Sequence, residues 1–265
     1  MQPLSSRQQT ILNRVVDLYI ENGQPVGSQA ITVLFQELYR DSYCSATVRN
    51  AMGCLEEQGY LTHPHTSAGR VPTDLGYRYY VEHGLRREDL PGDFPKKLSE
   101  TLRRVARERE SVAEQASQAL SDYAQETCVL VMPASSRGRG GRGAHSALRL
   151  VVSGASRMMD KPEFSRVEKV RELFRTFEEK SAMIDWLTRP ETHSRKAAVT
   201  IGQENKPQAF GDCAVVSARY SLGSEGSGVV AVIGSRRMRY ARTIPVVEST
   251  RDVIEDVLLE DGEKT

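Results

Sequence analysis

The chain has 265 residues, 39% hydrophobic and 27% charged, with a mean hydropathy of −0.46, which excludes wholesale disorder and leaves room for one large domain or two ordinary ones. Its longest apolar runs, such as VVAVI at 229–233, fall far short of the roughly 18 residues that span a bilayer. The opening MQPLSSRQQT lacks the apolar stretch of a secretory leader, so a cytoplasmic protein with no membrane contact is expected. Thirty-six Lys+Arg against 35 Asp+Glu give a net charge of +1, so any nucleic-acid contact has to be local.

In the first 83 residues the pattern is three short helices followed by a hairpin. Ser5 and Ser6 can cap a first helix, with Gln8 or Gln9 closing a capping box. Ile11, Val15 and Tyr19 form one apolar row and Leu12, Val16 and Ile20 the next. Gly23 ends that helix and Pro25 prevents its continuation. Ser28 can cap a second helix through Tyr39, and Ser45 a third that runs to Gln58 and stops at Gly59. Tyr60–Thr62 and Arg70–Pro72 then read as two short strands around the polar loop HPHTSAG, and Thr73 can cap a closing helix to Tyr80. Helix, helix, helix and a two-stranded flap is the order of a winged helix-turn-helix.

Residues 84–95 hold two prolines, two glycines and a charge cluster, which marks a linker. A long helix is expected from Lys96 to Glu126. Leu98, Leu102, Val105, Val112, Ala116, Ala119 and Tyr123 follow an alternating spacing that fits either a heptad seam or a helix packed on its own domain. From 127 onwards TCVLVM, ALRLVVSG, AAVTIG, CAVVSARY and GVVAVIG are strand candidates. Helices are expected from Glu163 to Leu187 and from Glu248 to Leu259, and GSEGSG at 223–228 suits a hairpin loop. The whole is α+β: a winged domain at 1–83, a linker and long helix at 84–126, and a largely antiparallel sheet with helices at 127–265.

The third helix carries the most chemistry. Val48, Met52 and Leu55 share one face and should pack inward, leaving Ser45, Ala46, Thr47, Arg49, Asn50 and Gly53 outward. A helix that enters the major groove needs short residues for close approach, with Arg and Asn to read guanine and adenine. The flap loop adds His63, His65, Thr66, Ser67 and Arg70, donors with no acidic partner nearby that suit phosphate or minor-groove contact. Residues 1–84 carry six Lys+Arg against eight Asp+Glu, so the expected footprint is a small basic patch of Arg49, Arg70 and Arg78, doubled by dimerisation.

Other chemistries are poorly supported. Cys44, Cys54, Cys128 and Cys213 form no CxxC and read as reduced thiols, and Cys44, Cys54, His63 and His65 fit no zinc spacing, so neither metal nor cofactor is expected. A literal GxGxxG stands at Gly138, Gly140 and Gly143, but a strand and not a helix follows it, so a pyrophosphate site is not expected. That Arg/Gly segment reads as a loop or as an Arg-rich arm for phosphates. No P-loop, HExxH or nucleophile elbow is present, and no enzyme is expected.

SATVRNAMGCLEEQGYLTHPHTSAGRVPTDLGYRYYV (45–81) resembles the winged-helix signature of the heat-inducible transcription repressor HrcA family. LSSRQQTILNRVVDLYIENGQPVGSQAI (4–31), VSGASRMMDKPEFSRVEKVRELF (152–174), IGQENKPQAFGDCAVVSARYSLG (201–223) and GVVAVIGSRRMRYARTIPVV (228–247) extend the likeness over most of the chain. The resemblance implies a repressor of chaperone operons that binds the inverted repeat CIRCE on double-stranded DNA as a homodimer, with a GAF-like C-terminal domain and the chaperonin as modulator. It places Thr47, Arg49 and Asn50 in the family's recognition helix, and His65, Thr66, Ser67 and Arg70 in its wing. Between VLVMPA (129–134) and ALRLVVSG (147–154) only SSRGRGGRGAHS stands where the family carries further strands and most of an inserted dimerising domain. The helix at 96–126 and the terminal helix thus become candidate interfaces. The alternatives are a GAF-type regulator that senses a small ligand, or an interaction protein that has lost operator binding.

Overall fold

The computed structural model describes residues 3–39, 44–65, 68–133, 148–189 and 196–263. They form two compact units, Met1–Arg86 and Arg87–Thr265.

In the N-terminal unit, α1 (Ser6–Asn22) starts at a complete capping box: Gln8 N–H donates to Ser5 Oγ at 3.3 Å and Ser5 N–H to Gln8 Oε1 at 2.9 Å. Gly23 ends it with φ 67°, a left-handed conformation that lets its N–H reach Tyr19 O at 3.0 Å. Ile11, Leu12, Val15 and Val16 are fully buried against α2 (Ser28–Tyr39) and α3 (Ser45–Glu57). Cys44, not Ser45, occupies the cap position of α3, because Ser45 already has helical geometry. β1 (Leu61–Thr62) and β2 (Val71–Pro72) pair antiparallel, Leu61 opposite Pro72 and Thr62 opposite Val71. α4 (Asp74–Tyr79) follows, with Thr73 Oγ1 accepting from Gly76 N–H at 3.2 Å, and runs on as a wider π-type turn over Tyr80–Gly84. Tyr80 is buried there and donates its hydroxyl to Asp17 Oδ1 at 2.7 Å, tying the end of the unit back to α1.

The C-terminal unit is built on a five-stranded sheet of order β4-β3-β7-β6-β5, every neighbouring pair antiparallel. The strands are β3 (Thr127–Pro133), β4 (Leu148–Ser153), β5 (Ala198–Ile201), β6 (Cys213–Ser221) and β7 (Ser227–Ser235). One face carries Val129, Val131, Leu150, Val215, Ala231 and Ile233, covered by Met158, Phe164, Phe210 and the helices α7 (Val167–Glu178) and α8 (Lys180–Leu187). Trp186 of α8 stacks on Phe210 at 4.9 Å between ring centroids. The other face, with Cys128, Leu130, Val216, Val230 and Val232 buried, lies beneath α6 (Arg109–Ala124) and α9 (Tyr240–Glu263). Burial on both faces is why these strands read as unbroken apolar runs instead of alternating.

Three helix expectations change. The single helix over 96–126 is two helices, α5 (Phe94–Val105) and α6, separated at 106–108, where the charged run RERE (107–110) begins and interrupts the apolar spacing. Leu98, Leu102, Val112 and Ala116 are buried in the unit's own core, with α5 and α6 packed on each other and on α9. They are therefore neither a linker helix nor a zipper seam. The helix expected from Glu163 to Leu187 divides into α7 and α8 at Glu179, whose ψ of 64° is not helical. α9 begins at Tyr240, well before Glu248, and contains Pro245. Pro245 has no N–H to give the carbonyl of Ala241, one turn back. The Glu88 N–H takes that carbonyl instead, at 2.9 Å, so the helix continues through the proline with its polar groups satisfied. The Arg/Gly segment with Gly138, Gly140 and Gly143 lies outside the described residues.

Glu126 immediately precedes β3, with its side chain 5% exposed. Oε1 accepts from Lys161 Nζ at 2.9 Å, while Oε2 has no hydrogen-bond partner among the described residues. Burial pushes this carboxyl above the usual range, against the pull of Lys161. Removing Lys161 leaves a buried carboxylate without its counter-charge. We expect Lys161→Met to destabilise the chain at neutral pH by about 1–3 kcal/mol in urea unfolding. Because the folded carboxyl then holds its proton more tightly than the unfolded one, the loss should shrink as pH falls from neutral toward 5. An equal loss at both pH values would remove Glu126 as its origin.

Candidate nucleic-acid interface

α3 is held by one face. Val48, Met52 and Leu55 are fully buried, while Ala46, Arg49 and Asn50 are exposed and Ser45, Thr47 and Gly53 half-buried. The helical period of 3.6 residues produces this division, since 48, 52 and 55 fall on one side and 46, 49, 50 and 53 on the other. The side chains of Arg49 and Asn50 make no ion pair or hydrogen bond among the described residues. At the N-terminus, Thr47 Oγ1 lies 3.1 Å from Cys44 Sγ, and hydrogen bonds from the Thr47 side chain and backbone hold that exposed thiol below its usual range. Ser45, Thr47, Arg49 and Asn50 therefore lie together along the first two turns of a well-packed helix.

The flap differs from expectation in its charges. Glu56, in the last turn of α3, takes the Arg70 guanidinium and the His63 ring at the base of the loop. Arg70 reaches Glu56 Oε2 with Nε and with Nη2, each at 3.0 Å, and His63 Nδ1 is paired with Oε1. Arg78 lies 3.8 Å from Glu82, one turn along. The expected patch of Arg49, Arg70 and Arg78 is thus not three unpaired cations, because Glu56, 14 residues away, meets Arg70 in space and Glu82 stands one turn from Arg78. His65 is exposed, while Thr66 and Ser67 lie outside the described residues.

Backbone contacts fix the same region. Val26 and Arg70 exchange two hydrogen bonds, each N–H to the other's carbonyl at 2.9 Å, which makes Val26 a third edge of the flap. The approach is close enough that a Cβ on Gly69 would sit 2.5 Å from the Val26 carbonyl carbon. Glu56, Val26 and Gly69 were missed from sequence. Pro25 marked only the end of the first helix, and nothing local pairs position 56 with position 70.

In the C-terminal unit, an open cleft of about 370 Å³ is lined by Phe164, Lys169, Glu172, Leu173, Gln208, Ala209 and Asp212. Burial opposes ionisation of Asp212, but Lys169 and Arg236 outweigh it and hold the carboxyl below the usual range. Those cations are therefore already engaged. Among the described residues no group of three or more His, Cys, Asp or Glu is gathered as for a metal ion, and no helix is long and apolar enough to cross a membrane.

Comparison with known proteins gives a family. The HrcA protein C terminal domain profile matches residues 96–244. The heat-inducible transcription repressor HrcA of Syntrophobacter fumaroxidans is 27% identical, with 99% of this chain and all of that protein covered. The protein of the same name from Brevibacillus brevis is 28% identical, over 98% of this chain and all of that one. The first of these alignments runs to 351 positions, longer than the 265-residue chain, so the relative carries additional residues opposite gaps. A solved structure described as a hypothetical protein at 2.2 Å has the same fold, with a TM-score of 0.74 at 21% identity over 97% of this chain and 99% of that chain.

Gly69→Ala tests the flap's attachment. The nearest atoms, Val26 C and O at 2.5 and 2.7 Å and Pro25 C at 2.8 Å, are all backbone and cannot swing aside. We expect a loss of about 1–3 kcal/mol in unfolding of the chain, with faster amide exchange at Val26 and Arg70. Unchanged stability and exchange would mean that the close approach does not exist in solution.

Proposed function

The chain belongs to the HrcA family, and on that premise we propose that it is a sequence-specific transcriptional repressor of chaperone operons, binding a CIRCE-type inverted repeat on double-stranded DNA as a homodimer. The relatives' names supply the repressor activity. In this proposal the N-terminal unit is a winged helix-turn-helix: α2 and α3 form the helix pair, α3 enters the major groove, and the β1–β2 hairpin is the wing. The C-terminal unit is GAF-like, the protein is cytoplasmic, and the chaperonin supports the active form.

The observation that carries the proposal is the division of α3. Its apolar side is consumed by the core, which leaves Arg49 and Asn50 outward on a rigid element. Those two side chains can pair bidentately with guanine and adenine edges, and Ser45 and Thr47 add short donors near the same helix end. His65, Thr66, Ser67 and Arg78 complete the proposed surface from the wing and α4. The N-terminal 84 residues carry net charge −2, so non-specific attraction is weak and base reading by two copies has to supply the affinity. Two-fold symmetry of the dimer then matches two-fold symmetry of the operator.

The experiment is a fluorescence-anisotropy titration of the full chain on a CIRCE-type duplex and on a scrambled duplex of equal length, at two salt concentrations, with and without chaperonin. Preference for the repeat supports the repressor; equal weak binding to both, with chaperonin present, overturns it. Arg49→Ala should cost about 1–3 kcal/mol on the repeat and relax specificity. An equal loss on both duplexes would reduce Arg49 to a phosphate contact.

A further inference from the structure

A hairpin of two residues per strand is too short to hold its own orientation. The loop between β1 and β2 begins at His63 and ends at Arg70. If its tip is to meet a duplex at the same time as α3, something must fix the hairpin to that helix. The side chains at both ends of the loop converge on one carboxylate, Glu56, which belongs to α3 itself. Its side chain is 25% exposed and that of Arg70 23%, so the pair is partly withdrawn from solvent. Arg70 presents two of its donors to one oxygen and His63 fills the other, leaving neither oxygen idle. An acid so near a surface meant for phosphates is an electrostatic cost unless it is neutralised, and here the Arg70 guanidinium does so.

We propose that Glu56 is a positioning residue for the DNA-reading surface, locking the wing to α3 through His63 and Arg70, and that Arg70 acts through this lock and not as a phosphate contact. The proposal rests on the winged-helix reading of the N-terminal unit. It places the specificity of the wing in its attachment: the two ends of the loop, His63 and Arg70, are held against the helix that carries Arg49 and Asn50. Arg70 is then required for its planar fork, which Lys cannot reproduce.

The test uses the full chain and the same pair of duplexes. Glu56→Gln keeps the side chain's shape and removes its charge. Were Glu56 a bystander acid, this change would tighten binding to both duplexes, since a repulsion with the phosphates is lost. The lock predicts the reverse: the ratio of affinities for repeat and scrambled duplex falls by about tenfold. Arg70→Ala and Arg70→Lys should each lower the ratio by a similar factor, and Glu56→Gln with Arg70→Ala should lower it no further than either alone. The salt slope of Arg70→Ala should equal that of the wild type, whereas a lost phosphate contact would reduce it by about 0.9. Amide hydrogen exchange over residues 61–72, measured without DNA, should quicken in Glu56→Gln and in both Arg70 variants. Tighter binding of Glu56→Gln to both duplexes, additive losses, a reduced slope in Arg70→Ala, or full specificity in Arg70→Lys each overturns the proposal. A wild-type chain with no preference between the duplexes sinks the DNA-reading premise and the proposal with it. That failure is told apart from the others because the exchange differences survive it.

Discussion

Val48, Met52 and Leu55 have no contact with water, and this burial is what the arrangement of the N-terminal unit depends on. Three side chains on one face of α3 fix the helix's rotation about its own axis. A rotation of one residue, 100°, would bring Arg49 or Cys54 into the core, at the cost of a buried charge or a mispacked thiol. The outward direction of Arg49 and Asn50 is therefore a consequence of core packing, with no need for interactions of their own. A surface positioned this way is rigid before any partner arrives, which limits the entropy lost on binding.

The flap is positioned by other means. Its two-residue ladder supplies little cooperativity, so its place is set by contacts from outside: the Val26 backbone on one side, Glu56 of α3 on another, and the close packing of Gly76 beneath Tyr60, where a Cβ would come within 2.2 Å of the Tyr60 carbonyl oxygen. Polar and backbone contacts of this kind are directional, unlike apolar burial, and they orient an element that has too little surface to bury. The C-terminal unit solves a different problem. Its sheet is apolar on both faces and needs two helical layers, which is why α5 and α6 are drawn into that unit's core rather than left as a free connecting helix.

Local signals were legible where the chemistry is local. The capping box at Ser5 and Gln8, the left-handed stop at Gly23, the cap at Thr73 and the two faces of α3 all depend on residues within one or two turns of each other. The five strand segments were legible because continuous apolar runs of that length have few other uses. Helix lengths were less so. The continuation of α9 through Pro245 depends on a distant partner, since the Glu88 N–H that satisfies Ala241 lies more than 150 residues away in the chain.

The sequence by itself determined the class of each segment, the inward and outward faces of α1 and α3, and, through its long matching motifs, the family. These follow from periodicity and capping, which act over a few residues. Only the tertiary structure decided the strand order β4-β3-β7-β6-β5, the division of the expected long helix, and the state of the flap's charges. Arg70 stands 14 residues from Glu56, with a polar loop between them. Sequence shows both charges, but whether a cation faces solvent or an acid depends on how the chain returns, and the return is set by the packing of Leu61, Tyr60 and Tyr77 into the core beneath.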